Sequence, residues 1–250
     1  MLATLIVASI AGCDGGGSDS TSGDKTSIQP EAAATDVAAN PPAVKRSGPH
    51  GTHDPHASLT PDKHAQVALQ HLDEGRPMEA MHTLDQAIAR YPDAAELFGI
   101  RGSLFLELGK VGEALADLES AVTLAPDNPL YLTNRAQAYR SFNRIDEAMT
   151  DLNRAIELDT DLLSARFNRG ALTFSQGDLE KALADFDHCI AVDPHTAAPY
   201  FNRAAVYDAM GKRELAIADL KRFLDIAPSG EWKDTANELM QQWEAAESDV

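Results

Sequence analysis

The chain has 250 residues, of which 44% are hydrophobic, enough apolar material for one or two folded domains. Against 21 Lys and Arg stand 39 Asp and Glu, a net charge of −18, and no basic run interrupts the acids. A phosphate backbone is held by clustered cations, so nucleic acid is excluded as a partner, and neutral or basic proteins or peptides fit better.

Residues 2–12 form an apolar run that is too short to cross about 30 Å of hydrocarbon as a helix. Its length suits the apolar region of a signal peptide. The run ends Ile10-Ala11-Gly12-Cys13, which resembles the bacterial lipobox, where an aliphatic residue and two small ones precede a cysteine. The resemblance implies cleavage before Cys13 and acylation of its thiol. It therefore implies a lipid anchor to a membrane of the bacterial envelope, with the rest of the chain outside the cytoplasm. Each methylene buried in lipid adds about 0.8 kcal/mol to such an anchor. None of residues 1–12 is charged, whereas a signal peptide opens with Lys or Arg, and this points to a start upstream of Met1.

Residues 13–59 are rich in Gly, Ser, Thr, Ala and Pro. Such a composition cannot bury enough apolar surface to offset the entropy of ordering, and a disordered tether is expected. Within it His50, His53 and His56 recur at intervals of three. On a polyproline II helix, with three residues per turn, they would share one face. A weak metal site there, and with it a metal-handling lipoprotein, is the alternative to a plain solvated linker.

From residue 61 the sequence repeats itself with a period of 34 residues, as 61–94, 95–128, 129–162, 163–196 and 197–230. A small residue recurs in the second half of each unit, at Ala80, Ala114, Ala148, Ala182 and Ala216. Leu84, Leu118, Leu152, Phe186 or Leu220 follows four residues on, and Ala87, Ala121, Ala155, Cys189 or Phe223 three beyond that. This i, i+4, i+7 spacing marks the buried face of a helix, and it makes Cys189 a core residue rather than a reactive thiol. The first half of each unit has its own close-packing point at Ala68, Gly102, Ala136, Gly170 and Ala204. Gly75, Gly109, Asn143, Gly177 and Gly211 punctuate the turn between the halves, where a left-handed backbone suits Gly or Asn. Pro92, Pro126, Pro194 and Pro228 end the second helix, with Thr160 as the departure.

This pattern resembles the tetratricopeptide repeat over residues 61–230, about two thirds of the chain. The fold class expected is all-α, a right-handed α-solenoid of five helix-turn-helix repeats in residues 60–230. A capping helix and tail follow in 231–250, with Trp232, Ala236, Leu239 and Trp243 on one face. The resemblance also implies that the first helices line a concave groove for a peptide or partner protein.

Arg101, Arg135, Arg169 and Arg203 stand where the family usually has Leu, and Asp117, Asp151, Asp185 and Asp219 follow sixteen residues later. The first repeat has Val67 and Thr83 instead, and this joint loss predicts an Arg–Asp pair bridging the two helices of each later repeat. Pairing with the neighbouring repeat is the less economical arrangement.

Beside the arginines stand Asn134, Asn168 and Asn202, with Gln66 in the first repeat and Ile100 interrupting the row. Two readings stay open. The amides hydrogen-bond a peptide backbone in the groove, with Phe167, Phe201 and Tyr200 as apolar anchors. Otherwise they are solvated or tie neighbouring helices together. No lysine row accompanies them, so an acidic C-terminus is not the favoured ligand. Glycine-rich phosphate loops, nucleophile triads and metalloprotease motifs are absent, so neither an enzyme nor a cofactor is expected. A membrane-tethered interaction scaffold is the function this sequence predicts.

Overall fold

The computed structural model describes residues 59–248, with side chains through residue 244. The segments expected as signal peptide and tether, with Cys13, His50, His53 and His56, lie outside the described residues as far as residue 58.

The described residues are helical, with no strand among them. They form α1 (Pro61–Asp73), α2 (Pro77–Arg90), α3 (Ala95–Glu107), α4 (Val111–Leu124), α5 (Pro129–Ser141), α6 (Ile145–Leu158), α7 (Leu163–Ser175), α8 (Leu179–Val192), α9 (Ala198–Ala209), α10 (Arg213–Ile226) and α11 (Glu231–Ser248). The first ten are five hairpins in the predicted frame, and α11 packs on α10.

Each hairpin turns by the same backbone device. In the first, the Gly75 N–H bonds the Leu72 carbonyl at 2.9 Å and the Arg76 N–H reaches the His71 carbonyl at 2.7 Å. This pairing closes a helix C-terminus and needs a left-handed residue between. Glycine supplies it in four repeats, and Asn143 does so in the third at φ 57°. The second helices all stop at the same place, α6 included, although it lacks the proline. There the Asp159 carboxylate accepts from the Asp161 N–H at 3.0 Å, turning the chain without proline.

The glycines of the first helices are dictated by their partners. A Cβ on Gly102 would lie 2.8 Å from Cγ of Leu118, and one on Gly170 would lie 3.0 Å from Cε1 of Phe186. Where the repeat has Ala68, Ala136 or Ala204, the methyl is fully buried in the same contact. Gly99 is a further close approach, since its Cβ would meet the Tyr131 ring of the next repeat at 2.3 Å.

Stacking of repeats also shows in which face is apolar. Leu97, Ala165 and Pro199 are buried on the side that meets the preceding repeat, as are Leu104, Ala138, Leu172 and Val206. In α1 the same positions are Lys63 and Gln70, both exposed, so the face a preceding repeat would cover is polar. At the other end Ala236 and Trp243 of α11 are buried against the fifth hairpin. Trp232 is 44% exposed but meets Phe201 edge-on at 5.5 Å.

The predicted Arg–Asp pairs form within each of the second to fifth repeats, and they are bidentate. Arg101 donates from Nε and Nη2 to the Asp117 carboxylate at 2.7 and 2.8 Å. The Arg135–Asp151, Arg169–Asp185 and Arg203–Asp219 pairs repeat this geometry at 2.7–2.8 Å. Hydrogen bonding to the carboxylate holds each of the four guanidiniums above its ordinary pKa. The remaining nitrogen does what the sequence pattern did not reveal. Nη1 of Arg101, Arg169 and Arg203 donates to Asp85, Asn153 and Asp187 on the second helix of the preceding repeat, at 2.6, 2.9 and 2.6 Å. One arginine thus joins three helices and two repeats. In the fifth repeat the equivalent of Asp85 is Lys221, which pairs instead with Glu244 of α11 at 3.1 Å.

Candidate functional site

Successive first helices touch one another, α1 with α3, α3 with α5, α5 with α7 and α7 with α9, while successive second helices make no comparable contact. The first helices therefore form one continuous layer, on the inner side of the bend. Each buries one face on its own second helix and, α1 excepted, a flank on the preceding repeat. The face left over runs i, i+4, i+7, i+11, a straight stripe along a helix.

The five stripes differ in chemistry. In α1 the stripe is Asp62, Gln66, Leu69 and Asp73, and in α3 it is Glu96, Ile100, Ser103 and Glu107. Both carry a carboxylate at each end and an amide or apolar centre. In α5 it is Leu130, Asn134, Gln137 and Ser141; in α7, Ser164, Asn168, Ala171 and Ser175; in α9, Ala198, Asn202, Ala205 and Ala209. None of those twelve side chains is charged. The stripe residues are acidic over two repeats and uncharged over three.

The amide row named from sequence lies on these stripes, but its members are not equivalent. Gln66 is exposed and Asn168 half-buried, and neither side chain spends a hydrogen bond on the described residues. Asn134 donates to the Ser103 hydroxyl of the previous repeat at 2.7 Å and so ties α5 to α3. Asn202 is buried and turns back to the Ala198 carbonyl of its own helix at 3.0 Å.

The three aromatic anchors are corrected by the structure, for they lie in the core. Phe167 is 2% exposed and meets Phe186 edge-on at 5.7 Å. Phe201 is 5% exposed and is packed between Phe223 and Trp232. Tyr200 is also buried, its hydroxyl donating to the Pro194 carbonyl at 3.2 Å. Phe167 and Phe201 sit one residue before the stripe's second position, and Tyr200 two before it, which rotates all three off the open face. The apolar side chains that the groove does expose are Leu69 and Leu130, at 45% and 53%. A search for the whole stripe, rather than for one recurring position, would have found them.

Charge in the groove is uncompensated. Asp62, Asp73, Glu96 and Glu107 make no ion pair among the described residues, whereas the carboxylates between the helix layers are each clasped by an arginine. Burial, and then the neighbouring Asp62 charge, push the Glu96 carboxyl above its usual range. Beside the α5 stripe, Arg140 is half-buried, and its side chain has no hydrogen-bond or ion-pair partner among the described residues. Burial lowers its guanidinium from the ordinary value.

Nothing in the stripes is arranged for catalysis. Cys189, the one thiol among the described residues, is 1% exposed, and burial pushes it up to about 12. Among the described residues no group of three metal-ligating side chains converges, and no helix is long and apolar enough to cross a membrane.

The structure is similar to several solved helical-repeat proteins. YrrB, described as a TPR protein with an unusual peptide-binding site, is 23% identical, with 70% of this chain and 90% of that one covered and a TM-score of 0.55. TTC0263, a thermophilic TPR protein from Thermus thermophilus, is 20% identical, with 75% and 98% covered and a TM-score of 0.57. MamA from Desulfovibrio magneticus RS-1 is 14% identical, with 66% and 94% covered and a TM-score of 0.58. At these identities the likeness shows the fold alone. No curated protein matches the sequence. Residues 68–129, 130–162, 163–196 and 197–229 each match the family description "Tetratricopeptide repeat", well over half of the chain. With its helix pairs, its inner layer of first helices and these matches, the chain belongs to the tetratricopeptide repeat family, a family of interaction scaffolds rather than enzymes.

Proposed function

We propose that this protein is a membrane-tethered scaffold of the bacterial envelope that holds peptides or partner proteins, neutral or basic in charge, in the groove of its first helices. The observation that carries the reading is the stripe along the first helices, open over α1, α3 and α5 and closing at Ala171, Asn202 and Ala205, with Leu69 and Leu130 exposed in a protein of net charge −18. Exposed apolar side chains flanked by amides suit a segment that brings its own backbone to be hydrogen-bonded and its own apolar anchors to be covered. The similarity to YrrB, a protein with a peptide-binding site, supports the same use of the fold. For the tether the support is Ile10-Ala11-Gly12-Cys13 and the Gly/Ser-rich segment behind it.

Two measurements test the two halves. Gln66→Ala, Leu69→Gln, Leu130→Gln and Asn168→Ala together should abolish binding of a partner captured from native envelopes while leaving the melting temperature within about 2 °C. Full binding by the folded variant moves the site to another face. Cys13→Ala should remove lipid labelling and release the protein to the soluble fraction. Equal labelling and membrane association of that variant would falsify the anchor.

A further inference from the structure

The acidic end of the groove contains an open depression of about 500 Å³, bordered by Asp62 at the start of α1, by Tyr91 and Asp93 in the α2–α3 connection, and by Glu96 at the start of α3. The connection's path is fixed, because the Tyr91 hydroxyl donates to the Leu59 carbonyl at 2.7 Å. Three acidic residues, all exposed, thus border one opening. The single cation on its wall is Arg90, whose guanidinium lies 5.7 Å from the Tyr91 ring centroid and makes no ion pair with them among the described residues. Asp62 and Glu96 stand close enough that the charge of one raises the carboxyl of the other. Like charges held this close are relieved when a cation arrives beside them.

We propose that this cavity receives a lysine or arginine side chain of the protein bound in the groove. The bound segment then carries its positive charge over the first and second repeats and an uncharged stretch over the third to fifth. The proposal rests on the groove reading above and adds polarity to it. A cationic side chain in the cavity meets acidic residues from two repeats and the connection between them, beside the Tyr91 ring that Arg90 already approaches. Beyond α3 the stripes consist of Ser, Asn, Gln and Ala, together with Leu130, of which Ala171, Asn202 and Ala205 are buried, and these have no charge to offer a second cation. The direction in which the segment runs is therefore set by where its basic residue is placed.

The test is a positional library of end-blocked nine-residue peptides, read by fluorescence polarisation against the full chain. The same library is read against the Asp62→Asn/Glu96→Gln variant and against the Gln66/Leu69/Leu130/Asn168 variant. The expected result is enrichment of Lys or Arg at one end of the bound peptides, with binding that weakens as salt rises. Loss of both carboxylates should cost about tenfold in affinity for these peptides, since exposed pairs contribute little singly and more as a network. It should leave peptides without a basic residue unchanged. Bound peptides that lose affinity in the stripe variant yet show no preference for Lys or Arg overturn the cavity proposal and leave the groove standing. A basic preference that persists in Asp62→Asn/Glu96→Gln overturns the cavity proposal in the same way. Peptides indifferent to the stripe variant overturn the groove reading and this proposal with it. Thermal melting of each variant separates lost binding from lost folding.

Discussion

The repeats treat their carboxylates in two opposite ways, and the contrast separates what holds the array together from what it offers a partner. Between the helix layers Asp117, Asp151, Asp185 and Asp219 are buried and each is gripped by two guanidinium nitrogens. On the inner face Asp62, Asp73, Glu96 and Glu107 are exposed and unpaired among the described residues. A buried carboxylate must be paired where it stands, because nothing else compensates its lost hydration. An exposed one is solvated and remains available. In this protein burial, rather than residue type, divides the paired acids from the acids that the proposal gives a binding role.

The most direct way to break the comparison is to strip a buried carboxylate of its arginine, or an arginine of its carboxylate. Asp151→Ala should destabilise the protein by about 3 kcal/mol, since it strands the half-buried Arg135 charge. Adding Arg135→Leu should recover part of that loss in urea melts. A coupling below about 0.3 kcal/mol between the two positions is within ordinary additivity error and would show that the pair does not act as a unit.

Cys189 reports the same event from inside. Its thiol is buried against α7 and raised to about 12, so in a Cys13→Ser background iodoacetamide at pH 8 should label native protein only through opening of the array. Asp185→Ala, at the neighbouring layer contact, should accelerate labelling roughly a hundredfold, the counterpart of ~3 kcal/mol in the opening equilibrium. Neutralising Asp62 and Glu96 should not change it. Equal acceleration by both sets would erase the distinction between the two kinds of acid.

A finer test stays on one arginine. Asp85 is 54% exposed at the side chain where it meets Nη1 of Arg101, whereas Asp117 is 9% exposed on the other side of the same guanidinium. Asp85→Ala should therefore cost under about 1 kcal/mol, as exposed pairs do. A cost equal to that of Asp117→Ala would mean that the contact between repeats is as strong as the one within them.

The smallest effect has the opposite sign. The Glu96 carboxyl is raised by burial and by Asp62, so the folded state holds its proton at a pH where the unfolded chain has released it. Ionised Glu96 therefore lowers stability above its folded pKa, and this cost disappears as the pH falls through that value. Glu96→Gln should raise the melting temperature slightly at pH 7, and the gain should vanish in mildly acidic buffer. A lower melting temperature at pH 7 would mean that Glu96 has a stabilising partner.

What the sequence determined by itself is the periodic part of the molecule: the five helix pairs, their turns, the buried Ala-Leu-Ala faces, and the Arg–Asp pair within each repeat. These depend on spacings inside one unit, and a 34-residue period presents each spacing several times over. The joint absence of Arg and Asp from the first repeat worked as an internal control. Tertiary structure decided everything that lies between units. It placed Nη1 of Arg101 on Asp85, fitted Tyr131 against Gly99, and tied Asn134 to Ser103. It also turned Phe167, Phe201 and Tyr200 into the core, although they lie within two residues of the stripe positions Asn168 and Asn202. Side chains one residue apart on a helix point about 100° apart, so a neighbour in sequence is seldom a neighbour on a surface. The cavity among Asp62, Tyr91, Asp93 and Glu96 comes from two helices and a connection whose distances no single period encodes.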